Sequence, residues 1–158
     1  MEEVISKDNI VLERFSKDNR SHLEVAKKFD NDPVIQDFFS EWKQITALSL
    51  DDDTNTFYSY VIFDENEPIG ICTITFNSDD GCVFSQGFLA EYRGKGYAKL
   101  VRNVVSEALF NQGVKVIKAY IKKRNVSSIK SVSKTNGFLE EVPGTDLLEI
   151  RYTQDRKR

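Results

Sequence analysis

The sequence predicts a mixed β-sheet packed by helices, formed by one domain of 158 residues. Runs of β-branched and aromatic residues joined by short polar turns imply antiparallel hairpins. Strand–helix–strand passages imply parallel pairing, because a parallel neighbour is reached only through a long crossover. A glycine-rich turn at Tyr92–Ala98 lies between a strand and the clearest amphipathic helix in the chain.

The elements follow in order. Ile10 to Phe15 alternates weakly and is expected to form a first strand. Asn19 or Ser21 can cap a helix running to about Lys28. Pro33 opens a second helix, with Val34, Phe38, Trp42 and Ile45 on one face, and the acidic triplet Asp51 to Asp53 closes it as a loop. Phe57 to Phe63 and Ile69 to Phe76 flank Asp64-Glu65-Asn66-Glu67-Pro68 as a hairpin, and Asn77 to Gly81 makes a second turn. A strand from about Cys82 to Leu89 contains Gly87, which indicates a bulge, a close backbone approach, or simply a tolerated glycine. Tyr97, Leu100, Val101, Val104, Val105, Ala108 and Leu109 recur at helical spacing, with Gly113 as the stop. Val114 to Ile121 reads as a strand and Val126 to about Thr135 as a helix stopped by Asn136-Gly137. Leu139 to Val142 and Leu147 to Tyr152, joined through Pro143-Gly144, form a closing hairpin.

Composition narrows the function. The chain is 40% hydrophobic and 30% charged, which suits a globular protein with a solvated surface. The opening residues MEEVISKDNI lack the apolar core of a secretory signal, and no apolar run approaches membrane-spanning length, so a cytoplasmic protein without a membrane partner is expected. Cys72 and Cys82 are expected as reduced, half-buried strand residues. His22 is the only histidine, which leaves no His cluster for zinc, and no metal is expected. Charge is uneven: Asp30 to Glu67 holds ten acids against one base, whereas Val114 to Lys134 holds seven bases and no acid. Two solvated faces explain this, as does a cationic partner at one end and a polyanionic one at the other. The basic stretch lacks aromatic interleaving beyond Tyr120 and the net charge is −3, so a nucleic-acid partner is not expected.

The segment Tyr92-Arg93-Gly94-Lys95-Gly96-Tyr97-Ala98 has the makings of an anion site. Glycines permit a tight turn, the first amides of a helix lack intrahelical partners, and the helix dipole favours negative charge. Lys95 is followed by Gly96 and Tyr97 with no Ser or Thr for magnesium, which excludes a Walker A loop, and the dinucleotide glycine spacing is absent.

Arg93-x-x-Gly96-x-Ala98 resembles the R/Q-x-x-G-x-G/A signature of the GNAT N-acetyltransferases. Phe88-Leu89-Ala90-Glu91-Tyr92 resembles the lead-in to that signature. Asn125, Ser128 and Gly137-Phe138 resemble the family's N-x-x-S…G-F passage, and Pro68-Ile69-Gly70 its central strands. The resemblance implies a mixed sheet of about six to seven strands flanked by about four helices, splayed between the fourth and fifth strands. It implies an acetyl-CoA-dependent N-acetyltransferase acting on a small-molecule or peptide amine, cationic if the acidic segment walls the acceptor, with monomer or homodimer left open. The amides of Lys95, Gly96, Tyr97 and Ala98 would hold the CoA pyrophosphate, Arg93 and Gly94 would open the turn, and Asn125 and Ser128 would contact the cofactor. Backbone groups of Phe88 and Leu89 would pair with the pantetheine arm, one amide stabilising the oxyanion, and a bulge at Gly87 would open the slot.

The sequence departs from the family at its proton donor. Where many members place a Tyr on the last helix, this chain has Val132 or Ser133, so Ser133, Tyr120 or water is left to protonate the thiolate. Ser85, Gln86 and Glu149 are the candidates for the base side. The alternative reading is a CoA-binding sensor or interaction domain that has lost turnover.

Overall fold

Tyr58, Tyr60 and Ile62 alternate with Val61 and Phe63, and the two sets enter separate cores on opposite faces of one sheet. This is a computed structural model, described for residues 1–38, 56–77, 80–133 and 137–154. The described residues form strands β1 (Val4–Lys7), β2 (Ile10–Arg14), β3 (Phe57–Asp64), β4 (Glu67–Phe76), β5 (Gly81–Phe88), β6 (Val116–Lys122), β7 (Phe138–Glu141) and β8 (Leu147–Thr153). Four helices accompany them: α1 (Arg20–Asp30), α2 (Pro33–Phe38), α3 (Tyr97–Asn111) and α4 (Val126–Val132). The sheet order is β1-β2-β3-β4-β5-β6-β8-β7, and only β5 and β6 pair in parallel.

The mixed α/β class therefore holds, with eight strands where about six to seven were expected. The extra strand is β1. It has one buried residue, Ile5, and so offers no alternation to detect. The second strand–helix–strand passage does not produce a parallel neighbour, because β8 lies between β6 and β7 and is antiparallel to both.

Helix α3 lays Val101, Val104, Val105 and Leu109 on the face carrying Tyr60, Ile62, Cys72 and Phe84. Val25, Ala26 and Phe29 of α1 and Ile35 of α2 cover Val61, Phe63, Ile71 and Leu89 on the other. Asn19 is the α1 cap, its side chain accepting from the His22 amide at 3.1 Å. Asp32 caps α2 in the same way, accepting from the amides of Val34 (3.0 Å) and Ile35 (3.4 Å). Such caps contribute about 1 kcal/mol each. His22 is 2% exposed. Its Nδ1 accepts the Ser16 N–H at 3.0 Å, which leaves the Nε2 proton for Glu13 at 3.0 Å. Both nitrogens are used in joining β2 to α1.

Cys72 and Cys82 are unbonded, and both are fully buried rather than half-buried. Burial pushes the Cys82 thiol from 9.0 up to about 11 and the Cys72 thiol higher still. Helix α4 ends at Val132, and Trp42, Ile45, Asp51 to Asp53 and the Thr135–Asn136 helix end lie outside the described residues. No described helix is long and apolar enough to cross a membrane, and no His, Cys, Asp or Glu cluster among the described residues could hold a metal.

The bulge expected at Gly87 is absent: β4 and β5 stay in continuous register from Gly70↔Phe88 to Phe76↔Cys82. The irregularity lies one strand away. The β3–β4 register shifts between Ile62 and Phe63, where Ile62 faces Gly70 and Phe63 faces Pro68. Gly70 also permits a close approach, because a Cβ there would stand 2.2 Å from the Gly87 carbonyl oxygen.

Candidate functional site

Strands β5 and β6 share only three residue pairs, Gly81↔Val116, Cys82↔Ile117 and Val83↔Lys118. Beyond them β6 remains paired with β8 along all seven residues, from Val116↔Thr153 to Lys122↔Leu147. The two strands thus part after Val83, the splay expected between the fourth and fifth strands of the sequence reading.

The parted edge of β5 carries backbone groups with a definite direction. The Leu89 amide donates to the Ile69 carbonyl at 2.9 Å, toward β4. Alternation along a pleated strand turns the backbone groups of Phe88 and Gln86 the other way, into the slot. The Leu89 amide, expected with Phe88 along the pantetheine arm, is used within the sheet. The Gln86 backbone faces the slot together with that of Phe88. The Gln86 side chain instead donates to the Ala98 carbonyl at 3.0 Å, tying β5 to the start of α3.

At the mouth of the slot a single 3-10 turn, Ala90–Tyr92, leads into the glycine loop. Gly94 (φ 74°) and Gly96 (φ 86°) occupy the left-handed region, and the space around both Cβ positions is open. Gly96 caps α3 without a side chain, so no side chain among the described residues bonds the first amides of this 15-residue helix. The aromatic rings of Tyr92 and Phe88 pack on Tyr97, and Lys95 extends over the Tyr92 ring at 6.0 Å. The Tyr97 hydroxyl bonds to Asp64, a contact that raises its pKa.

Arg93 faces inward. Its Nε donates to the Phe88 carbonyl at 3.0 Å and its Nη2 pairs with Asp32, the α2 cap. At the other end of α2, Asp37 pairs with Arg124 at 2.5 Å, and its carbonyl accepts from Lys122 at 2.8 Å. Helix α2 is thereby tied to both lips of the slot, the loop after β5 and the end of β6. An open cavity of about 480 Å³ lies beside Asp32, lined also by Lys27, Lys28, Asn31, Leu89 and Glu91.

Asn125 caps α4, its Oδ1 accepting from the Ser128 amide at 3.3 Å. Ser133 is exposed, and its hydroxyl donates back to the Ile129 carbonyl of the preceding turn. Tyr120 and Glu149 are cross-strand partners on the α1–α2 face, with the hydroxyl donating to Glu149 at 2.9 Å. Burial and that bond raise the Tyr120 pKa, whereas the Arg151 hydrogen bond holds Glu149 below the usual carboxylate range. Carrying the β5–β6 register on by two residues sets Ser85 across the slot from Tyr120. Of the acids between Asp30 and Glu67, Asp32, Asp37 and Asp64 are engaged by Arg93, Arg124 and Tyr97. Glu41 and Asp51 to Asp53 fall outside the described residues.

An open strand edge next to a left-handed glycine loop at a helix start makes a slot for an extended chain beside an anion site. The sequence matches the acetyltransferase (GNAT) family over residues 19–138, and the chain belongs to that family. No curated protein matches it. Solved structures share the fold. Campylobacter jejuni N-acetyltransferase PseH in complex with acetyl coenzyme A is 20% identical with a TM-score of 0.68, the match covering 92% of this chain and 99% of that one. An acetyl transferase from Salmonella typhimurium, which modifies the N-terminal serine of 50S ribosomal subunit protein L7/L12, is 14% identical with a TM-score of 0.76, covering 97% and 100%. A probable GNAT-family acetyltransferase from Chromobacterium violaceum is 14% identical with a TM-score of 0.78, covering 97% and 87%.

Proposed function

We propose that this protein transfers an acetyl group from acetyl-CoA to a primary amine on a small molecule or a peptide. The observation that carries the reading is the parted β5 edge, with slot-facing Gln86 and Phe88, set directly beside uncovered amides at the start of α3. The amides of Lys95, Gly96, Tyr97 and Ala98 fit a pyrophosphate, since a helix N-terminus concentrates unpaired N–H groups and positive potential. The slot-facing backbone of Gln86 and the Phe88 N–H fit an extended amide-bearing arm, which they would bond as a further strand would. In this arrangement the Phe88 N–H faces the thioester carbonyl and stabilises negative charge developing on its oxygen. Arg93 orients this strand end, and Asn125 and Ser128 fix the start of α4 at the opposite lip.

The amine approaches from the α1–α2 face, attacks the carbonyl carbon and displaces the CoA thiolate. Proximity supplies much of the acceleration. Ser133 is poorly placed as proton donor, because its hydroxyl is committed to Ile129. Water protonates the thiolate, and the ammonium proton leaves through solvent near Tyr120 and Glu149. Both PseH and the Salmonella enzyme are described as acetyltransferases, which supports the donor half of the reading. The experiment is thiol release from acetyl-CoA against a panel of amines. Amine-dependent release supports the proposal, and acetyl-CoA binding with no release for any amine identifies a sensor instead.

A further inference from the structure

The peptide joining Phe88 to Leu89 is held at both ends. Its carbonyl accepts from Arg93 Nε at 3.0 Å, and its N–H donates to Ile69 at 2.9 Å. This peptide adjoins the Phe88 N–H that faces the slot. Arg93 can hold the carbonyl only while its own fork is oriented, and Asp32 is what orients it. The Asp32 carboxylate serves two elements at once, with Oδ1 on the amides of Val34 and Ile35 and Oδ2 on Arg93. The pair is well covered, with side-chain exposures of 13% for Asp32 and 29% for Arg93. The second tie of α2, between Asp37 and Arg124, is 55% and 51% exposed. Exposed pairs contribute little, whereas a shielded charged pair that is also hydrogen-bonded constrains geometry.

We propose that Asp32 is a positioning residue for acyl transfer. It holds Arg93 against the Phe88 carbonyl and so fixes the direction of the Phe88 N–H at the thioester. It does this from the wall of the cavity at the α1–α2 junction, so the acceptor side of the sheet is mechanically linked to the oxyanion donor. The proposal rests on the acetyl-CoA reading above.

Asp32→Asn separates the two duties of the residue, because Asn caps a helix as well as Asp but does not pair with Arg93 as an anion. The probe is acetyl-CoA carrying ¹³C at the thioester carbonyl, whose infrared band moves to lower frequency when the oxygen accepts a hydrogen bond. With wild-type protein at saturation, a shifted band is expected. Asp32→Asn should bind acetyl-CoA within about threefold of wild type and lose most of the band shift, with kcat for the best amine of the panel falling about ten- to a hundredfold. Arg93→Lys should do the same, since Lys keeps the charge opposite Asp32 but has no Nε donor in that position. It also serves if Asp32→Asn does not fold. Asp37→Asn is the control and should leave both band and kcat unchanged. A wild-type band shift retained in full by Asp32→Asn or Arg93→Lys overturns the positioning role while leaving the acetyl-CoA reading intact. Failure of the wild type to bind acetyl-CoA overturns that reading and the proposal together.

Discussion

Single residues decide whether the slot can act. Gly96 holds a left-handed φ of 86° at the first turn of α3, with open space where a pyrophosphate would approach. Gly96→Asp should fold, at a cost of about 1–2 kcal/mol from the left-handed backbone. It should lose the acetyl-CoA-dependent rise in Tm that ligand linkage gives the wild type. A Tm shift equal to wild type would remove the loop from the binding site. Ser133→Ala should keep more than about a tenth of kcat, because a positioned general acid contributes roughly 10²–10⁴-fold and this hydroxyl is bonded within its own helix. A hundredfold loss at unchanged Tm would make Ser133 the acid. These residues differ in how legible they were. The loop announced itself by glycine spacing, whereas the direction of the Leu89 and Gln86 amides was not legible, because sequence does not show which way a strand's amides point until one partner is known.

At the scale of elements, two buried features invite measurement. Cys72 and Cys82 lie in adjacent central strands, and burial raises both thiols, Cys82 to about 11. A raised acid favours the protonated fold, so the folded state binds more protons than the unfolded one above pH 9. This contribution is complete below the unfolded value near 9.0 and is lost as pH rises toward the folded value of about 11. Melting temperature should therefore fall between these values, and a Cys72→Ala, Cys82→Ala double variant should show a shallower fall. An unchanged slope would assign the alkaline loss to other groups. Arg102 of α3 is only 5% exposed. Its Nη2 reaches Ser131 at 2.8 Å, its Nη1 has no partner among the described residues, and burial lowers its pKa. Replacing such a charge with an apolar side chain of similar volume is often neutral or stabilising. Arg102→Met should then hold or raise Tm, and a large drop would mean that the guanidinium carries a connection between α3 and α4. Helical periodicity made α3 visible in the sequence, with Arg102 as an anomaly within its apolar surroundings. The four-residue β1, with one inward residue, carried no such signal.

Over the whole molecule, the parting of β5 from β6 could be anticipated from the family-like motifs, whereas β8 lying between β6 and β7 could not. Strand β5 stays in register with β4 and β6 with β8, so each keeps its partner on the edge away from the slot, with no bulge at Gly87. The β6–β8 pairing joins segments separated by a helix and another strand, and no local pattern records it. The charge asymmetry is legible in the same partial way. The acidic and basic segments do meet, but Asp32 and Asp37 spend their charge on Arg93 and Arg124. Cationic amines should therefore be preferred only modestly over neutral ones, with a preference that shrinks as salt screens the remaining acids. Equal rates for neutral amines at low salt would leave the asymmetry without a role in acceptor choice.

The central claim is that acetyl-CoA occupies the slot between β5 and β6, with its phosphates at the start of α3. The most direct test is a titration of ¹⁵N-labelled protein with acetyl-CoA, following every backbone amide. Acetyl-CoA in the slot should give saturable shifts at Lys95, Gly96, Tyr97 and Ala98 and at the slot-facing amides of Gln86 and Phe88, with β1, β7 and the far end of α3 little changed. Saturable binding with shifts confined to other surfaces, or no binding at all, would contradict it.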